Sequence, residues 1–317
     1  MAHINTVLGS IHPDELGPCG THEHVVWGPP GWDLDPEWWF HYPRVFAKCV
    51  ADLSEYRELG GRSIVCCSGI GLGRDIELYR MLSRYSGVQI VVPTGFWASA
   101  GLSNYFLDKD IDYFVELFVR ELTEGIGKTG VRAGHIKVGI GEEISPRDKM
   151  LHRAAARAAL RTGAPVTSHC AWKALEVLDI LMEEGLDPSR IIVSHCSHGE
   201  AIDPERDKKV AAIGAWISYD SFTVTNTWAV THYAHPDERR ADVVKEVLDA
   251  GFRDRVLLSS DNNLFSLGWS RSAPYVGKAS PTDFLRTTPG KLRRVGIPEA
   301  TFWSILTENP KRALAIL

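Results

Sequence analysis

The 317-residue chain carries 35 Lys and Arg against 40 Asp and Glu, a formal net charge of -5, with 44% hydrophobic and 24% charged residues. Its basic residues are scattered among acids rather than gathered in a stripe, which argues against nucleic acid as a partner, and no apolar run of 18 residues exists to span a membrane. A chain of this size buries a substantial core unaided, so any metal it holds is expected to serve chemistry rather than folding.

The N-terminus lacks the charged start, apolar stretch and small-residue cleavage site of a secretory signal. The six cysteines (Cys19, Cys49, Cys66, Cys67, Cys170 and Cys196) form no Cys-x-x-Cys pair and no disulfide framework. The expectation is a cytoplasmic protein with reduced, buried thiols.

In chain order, eight short apolar or β-branched runs alternate with longer amphipathic segments. Strands are predicted over Gly20–Val25, Ser63–Ser68, Ile90–Gly95, Ala133–Val138, Pro165–His169, Ile191–His195, Ala215–Asp220 and Val256–Asp261. Helices are predicted over Leu151–Thr162, Trp172–Gly185 and Pro236–Gly251, the last two closing on glycine. This alternation predicts the α/β class and a (β/α)8 TIM barrel. With no repeat, low-complexity tract or linker, residues 1–317 read as one domain. The connections Trp27–Tyr42, Phe222–His235 and Asn262–Ser280 are longer than barrel geometry requires. They follow strands, which puts them on the C-terminal face, where barrel enzymes do their chemistry.

Thr21-His22-Glu23-His24 falls at the end of the first strand. Alternation along a strand turns His22 and His24 the same way and Glu23 elsewhere. An isolated His-x-His is common, but Lys137, His169, His195 and Asp261 each fall at the C-terminal end of a different apolar strand. Imidazole and carboxylate suit Zn²⁺, and also Mn²⁺, Co²⁺ or Fe²⁺. A lysine does not, because an ammonium has no lone pair. Lys137 is either an unrelated charge or chemically altered. Carbamylation by CO2 would turn it into a carboxylate on a long stem, able to bridge two divalent ions. The charge count then leaves an excess of positive charge to polarise a substrate oxygen.

Other features have plainer readings. His198 reads as a loop histidine, and His135 as a packed residue one layer deeper than Lys137. Gly69-Ile-Gly-Leu-Gly73 lacks nucleotide-binding spacing and reads as a tight turn. Cys170 and Cys196 read as core filling. Ten tryptophans exceed ordinary usage. Trp27, Trp32, Trp38, Trp39, Trp97, Trp228 and Trp269 fall on or near the active-face loops, and with Phe96, Phe222 and Phe265 they predict an apolar pocket, Trp97 being the residue expected to touch substrate.

With these residues in place, the chain resembles the phosphotriesterase family of the amidohydrolase superfamily along essentially its whole length. Thr6-Val-Leu-Gly-Ser-Ile-His and Thr21-His-Glu-His are similar to the family's opening, and Arg132-Ala-Gly-His-Ile-Lys137 to its carbamylated-lysine strand. Gly163-Ala-Pro-Val-Thr-Ser-His169, Asp187-Pro-Ser-Arg-Ile-Ile-Val-Ser-His195, Asp254-Arg-Val-Leu-Leu-Ser-Ser-Asp261 and Glu308-Asn-Pro-Lys-Arg312 follow in the family's order. The resemblance implies two divalent ions, zinc foremost: His22, His24 and Asp261 on the more buried one, His169 and His195 on the other, Lys137 bridging. It implies attack by a metal-bridging hydroxide on a carbonyl carbon or phosphorus, with Asp261 as base or proton shuttle, Asp220 receiving the proton and His235 continuing the relay. It also suggests a homodimer.

Family lactonases commonly carry an arginine and a tyrosine where this chain has Ser221 and Trp97. Hydrolysis of a small, hydrophobic lactone or carboxylic ester is the first expectation, with phosphotriester or amide hydrolysis as the alternative. A catalytically silent barrel acting as a binding protein would need a broken ligand set, and all six positions are filled.

Overall fold

An antiparallel hairpin, β1 (Ile4–Thr6) and β2 (Gly9–Ile11), precedes a run of parallel strands and helices. The computed structural model describes residues 2–35, 41–223, 237–266 and 280–317. The parallel strands are β3 (Cys19–Trp27), β4 (Ser63–Cys66), β5 (Gln89–Val91), β6 (Pro93–Gly95), β7 (His135–Gly139), β8 (Val166–His169), β9 (Ile191–Ser194), β10 (Trp216–Tyr219), β11 (Val256–Leu258) and β12 (Asn263–Ser266). The described helices include α1 (Tyr42–Glu58), α2 (Ile76–Ser86), α3 (Ile111–Thr123), α4 (Pro146–Thr162), α5 (Ala174–Glu183), α6 (Pro204–Ile213), α7 (Asp237–Asp249), α8 (Pro281–Arg294) and α9 (Glu299–Ala313). None of them is long and apolar enough to cross a membrane.

Hydrogen bonding orders the parallel strands as β12-β3-β4-β5 and β6-β7-β8-β9-β10-β11. Val92 alone separates β5 from β6, and Ser259 to Asn262 separate β11 from β12. Each break interrupts one continuous stretch of chain, so the two ribbons join end to end into a ring of eight strand positions, the TIM-barrel arrangement. Across the second break, His22 N donates to Ser259 Oγ (2.9 Å), Asp261 N to His22 O (2.9 Å) and His24 N to Asn262 O (2.9 Å).

Alternation sorts the strand residues into two layers. Ile64, Cys66, Ile90, Ile136, Val138, Ile191, Val193, Val256 and Leu258 pack outward under the helices. Val65, Cys67, Val91, Ile192, Trp216 and Leu257 fill the interior together with Ile4 from the hairpin and Leu314 after α9. The six cysteines are free and buried, as their lack of pairing motifs predicts.

The element boundaries depart from the sequence-based expectations in instructive places. The eighth strand stops at Leu258 rather than Asp261, and the expected loop Asn262–Ser280 opens with β12, paired in parallel with β3. The alternation in Asn263-Leu-Phe-Ser266 is too short to stand out without its partner strand. Helix α4 begins at Pro146, five residues ahead of the predicted start, because Ser145 and Asp148 form a capping box. Residues Ala171–Lys173 form a 3-10 turn before α5, so that helix starts after Trp172.

Candidate active site

The strands deliver the expected polar residues to one end of the ring. His22 and His24 lie on β3, Lys137 on β7 and His169 at the end of β8, while His195 and Asp220 each follow a strand by one residue. Asp261 sits in the break between β11 and β12. The pairing of β3 with β4 shifts register between Gly20 and Glu23, a bulge of the kind that re-aims side chains beside active sites. Two glycines permit the close approach around Lys137. Gly95 has φ +93°, and a Cβ there would stand 2.1 Å from Lys137 O; one on Gly139 would stand 2.2 Å from Trp97 O and 2.7 Å from His169 Cβ.

His24 Nε2 lies 3.1 Å and His22 Nε2 3.6 Å from Asp261 Oδ1, and His195 Nδ1 lies 3.8 Å from Asp261 Oδ2. Asp220, wholly buried, reaches the Nδ1 atoms of two imidazoles: His22 at 2.9 Å from Oδ2 and His195 at 3.1 Å from Oδ1. Its oxygens also accept His195 N at 3.1 Å. The His169 and His195 rings stand 4.3 Å apart between centroids, and His22 and His195 4.6 Å. Asp261 keeps 14% of its side chain exposed and His24 11%, and His169 is likewise only partly buried.

Burial pushes His22 down to about 4, helped by Lys137, and holds His169 well below the ordinary histidine value. Both imidazoles are therefore neutral near pH 7, the form that ligates metal. Burial alone would raise Asp220 and Asp261, but the facing imidazoles overcome it and hold both carboxyls below the usual range. His195 (φ 70°) and Asp261 (φ 51°) are two of the three described non-glycine residues with left-handed backbone, the third being Thr223 (φ 65°). Such strain, of order 1–3 kcal/mol each, clusters at functional sites.

Lys137 is 1% exposed, with Nζ 3.5 Å from His22 Nε2. Among the described residues no carboxylate lies within ion-pairing distance of it. A buried, unpaired ammonium facing imidazoles is an expensive arrangement. A cation-binding centre fits this donor set: His22, His24 and Asp261 converge within one ligand sphere, as do His22, His195 and Asp220.

Further residues complete the site, of which Ser68 and Trp172 carried no functional signal in the sequence. Ser68 Oγ lies 2.8 Å from His24 Nδ1 and donates to Val26 O (2.6 Å). Trp172 sets its ring 5.0 Å from His169, which Trp97 also meets at 5.5 Å, and is tied down by its indole N–H to Gly141 O (3.1 Å). His198 stacks edgewise on His195 at 5.7 Å. Glu23 fastens the Asp261 turn. Its position between two candidate ligands was the available signal. His135 packs below Lys137 between Thr167 Oγ1 and Cys66 O, both at 3.1 Å, and Gly69–Gly73 is a turn closed by Leu72 N to Gly69 O.

Two of the expected pocket aromatics belong to the core instead. Phe96 packs against Phe106, Phe114 and Phe118, because strand alternation turns it outward beneath α3 while Trp97 turns in. Phe222 is fully buried against Phe284 of α8. Trp27 at the end of β3, Trp32 inside the loop that follows and Phe265 within β12 are half-buried. Trp38, Trp39, Trp228, Trp269 and His235 lie outside the described residues.

A parallel α/β barrel whose strand ends bring histidines and aspartates together on one face is the arrangement on which barrel enzymes build their active sites. The phosphotriesterase family model matches residues 2–314, and the chain belongs to that family. An aryldialkylphosphatase of Saccharolobus solfataricus is 29% identical over 316 residues, 96% of each chain. An N-acetyltaurine hydrolase of Danio rerio is 27% identical over 350 aligned positions, 98% of this chain and 97% of that protein. The solved structure of a mutant PTE-like lactonase of Deinococcus radiodurans superimposes with a TM-score of 0.87 at 27% identity, covering 98% of this chain and 99% of that one.

Proposed function

We propose that this family hydrolase is metal-dependent, holds two divalent ions and cleaves a small, hydrophobic lactone or carboxylic ester. His22, His24 and Asp261 would hold one ion, His169 and His195 the other, with Lys137 carbamylated between them. The observation that carries the reading is Lys137 itself: buried, facing an imidazole, and without a carboxylate partner among the described residues. As a carbamate it would replace the misfit ammonium by an anion matched to cations. Zn²⁺ suits the imidazole-rich set, and Mn²⁺, Co²⁺ and Fe²⁺ also fit.

Bound there, the ions would supply Lewis acidity, acidifying water and polarising the substrate's doubly bonded oxygen. The protein's own part is positional. Asp261, exposed on one side, is placed to take the proton from the attacking water. Asp220 hydrogen-bonds Nδ1 of His195 and lies within ion-pair distance of Nδ1 of His22, which orients the His195 ring and favours the present orientation of His22. Trp97 and Trp172 flank His169 and give one side of the site an apolar wall for an acyl chain.

The structural likeness to a PTE-like lactonase favours a carbonyl substrate. Phosphotriester or amide hydrolysis is the second reading, favoured by the aryldialkylphosphatase and N-acetyltaurine hydrolase relatives. The test is a rate comparison over lactones, aryl esters, amides and phosphotriesters on metal-reconstituted protein, with Lys137→Ala and Asp261→Asn as controls. Highest kcat/KM on a lactone or ester, abolished in both variants, supports the proposal. Full activity in the variants sinks the mechanism, and a preference for phosphotriesters or amides sinks the substrate class.

A further inference from the structure

Glu23 stands between the two β3 histidines, fully buried, and its side chain enters the break between β11 and β12. Oε1 accepts Ser259 Oγ (2.7 Å), Ser260 N (3.0 Å) and Ser260 Oγ (2.8 Å), and Oε2 accepts Ser260 Oγ (2.7 Å) and Asn262 N (3.0 Å). These donors bracket Asp261 on both sides. Asp261 itself is held in a left-handed conformation, its N–H on His22 O. That conformation is costly for most L-residues, though less so for Asp. Beyond the turn, the Asn262 amide donates to Thr223 Oγ1 (2.9 Å) and reaches Ser280 O (3.5 Å). The same turn therefore anchors the residues that open one long active-face connection and close another.

We propose that Glu23 is a positioning residue of the metal centre: a buried carboxylate strut that fastens the Ser259 to Asn262 turn to β3 and so aims Asp261 at His22 and His24. The inference rests on the metal-centre reading above. Burial pushes the Glu23 carboxyl up to about 8 against the pull of these hydrogen bonds, and donor counting favours glutamate at this position. Two N–H groups and the Ser260 O–H converge on it, the Ser259 O–H is shared between it and His22 O (3.0 Å), and a carboxylate offers lone pairs to all of them without adding a donor. Glutamine would set an amide N–H against the Ser260 or Asn262 N–H. Aspartate would fall one methylene short.

The experiment compares wild type, Glu23→Gln and Ser260→Ala as full-length proteins. It measures Zn²⁺ affinity by competition with a chelator, kcat and KM on the best substrate, and melting of the metal-free forms. Loss of a group that orients a ligand typically costs about 10–100-fold in metal affinity or activity. Glu23→Gln should fall in that range in both Zn²⁺ affinity and kcat, with KM steady. Ser260→Ala, which leaves both N–H donors and Ser259 Oγ in place, should move the same way by less while keeping the metal-free melting temperature. It carries the test if Glu23→Gln does not fold. Wild-type affinity and kcat in the folded variants would overturn the proposal. Absence of Zn²⁺ binding by the wild type would instead overturn the metal-centre reading beneath it.

Discussion

Nδ1 of His22 lies 2.9 Å from Oδ2 of Asp220, at the floor of the site, where neither side chain meets solvent. The contact leaves His22 Nε2 facing Lys137 and Asp261, so one carboxylate decides which nitrogen looks into the centre. Asp220→Asn replaces half of this acceptor by a donor and frees both His22 and His195 to turn. Metal affinity measured by chelator competition is expected to fall about 10–100-fold. An unchanged value would show that the rings are held by packing alone.

Carbamylation makes a prediction independent of substrate. A free amine must capture CO2 before the centre can assemble, so metal-free protein returned to metal should regain activity faster in bicarbonate buffer than in CO2-depleted buffer. Equal recovery in the two buffers would remove the carbamate from the account. Lys137→Arg, which keeps the charge but cannot form it, should remain inactive in both.

Trp97 packs its ring edgewise on His169, 5.5 Å between centroids. Trp97→Ala should leave metal content at the wild-type level. It should lower kcat/KM for hydrophobic substrates by about tenfold or more, the worth of some 1.5 kcal/mol of apolar contact. A short-chain substrate should suffer less. Equal losses for long and short acyl chains would contradict an apolar wall at this position.

His152 contributes to the pH dependence of the scaffold beside His22, His135, His169 and His198, whose values burial also lowers. It is buried on α4 with Nδ1 2.7 Å from Asp148 O and Nε2 2.8 Å from Ser168 Oγ, and burial lowers its pKa. The unfolded chain takes up a proton near the ordinary histidine value, which the folded chain refuses until lower pH. Stability therefore falls as pH drops below about 6.5, with a slope of at most about 1.4 kcal/mol per pH unit for that proton. His152→Gln keeps a partner for Ser168 without titrating. Chemical denaturation of the metal-free proteins across this window should show a shallower slope in the variant, and identical slopes would refute the assignment.

The barrel and its ligand candidates were legible because both follow local rules. Apolar runs of strand length ended in His, Lys or Asp on five separate strands, and alternation alone turned His22 and His24 inward. What sequence could not show was decided by long-range pairing. Asn263–Ser266 is a strand only because β3 lies beside it. Phe96 and Trp97 are adjacent aromatics, yet one faces α3 and the other the site, a choice set by strand register. Glu23 was correctly turned away from the ligand face, but its partners, Ser259, Ser260 and Asn262, lie more than 230 residues away.

The central claim is that Lys137 and five side chains around it hold a pair of ions, and elemental analysis of metal-reconstituted protein tests it most directly. Two divalent ions per wild-type chain are predicted, fewer in Lys137→Ala, with activity lost on chelation and restored on adding metal. One ion per chain or none in a fully active enzyme, or an unchanged content in Lys137→Ala, would contradict the account.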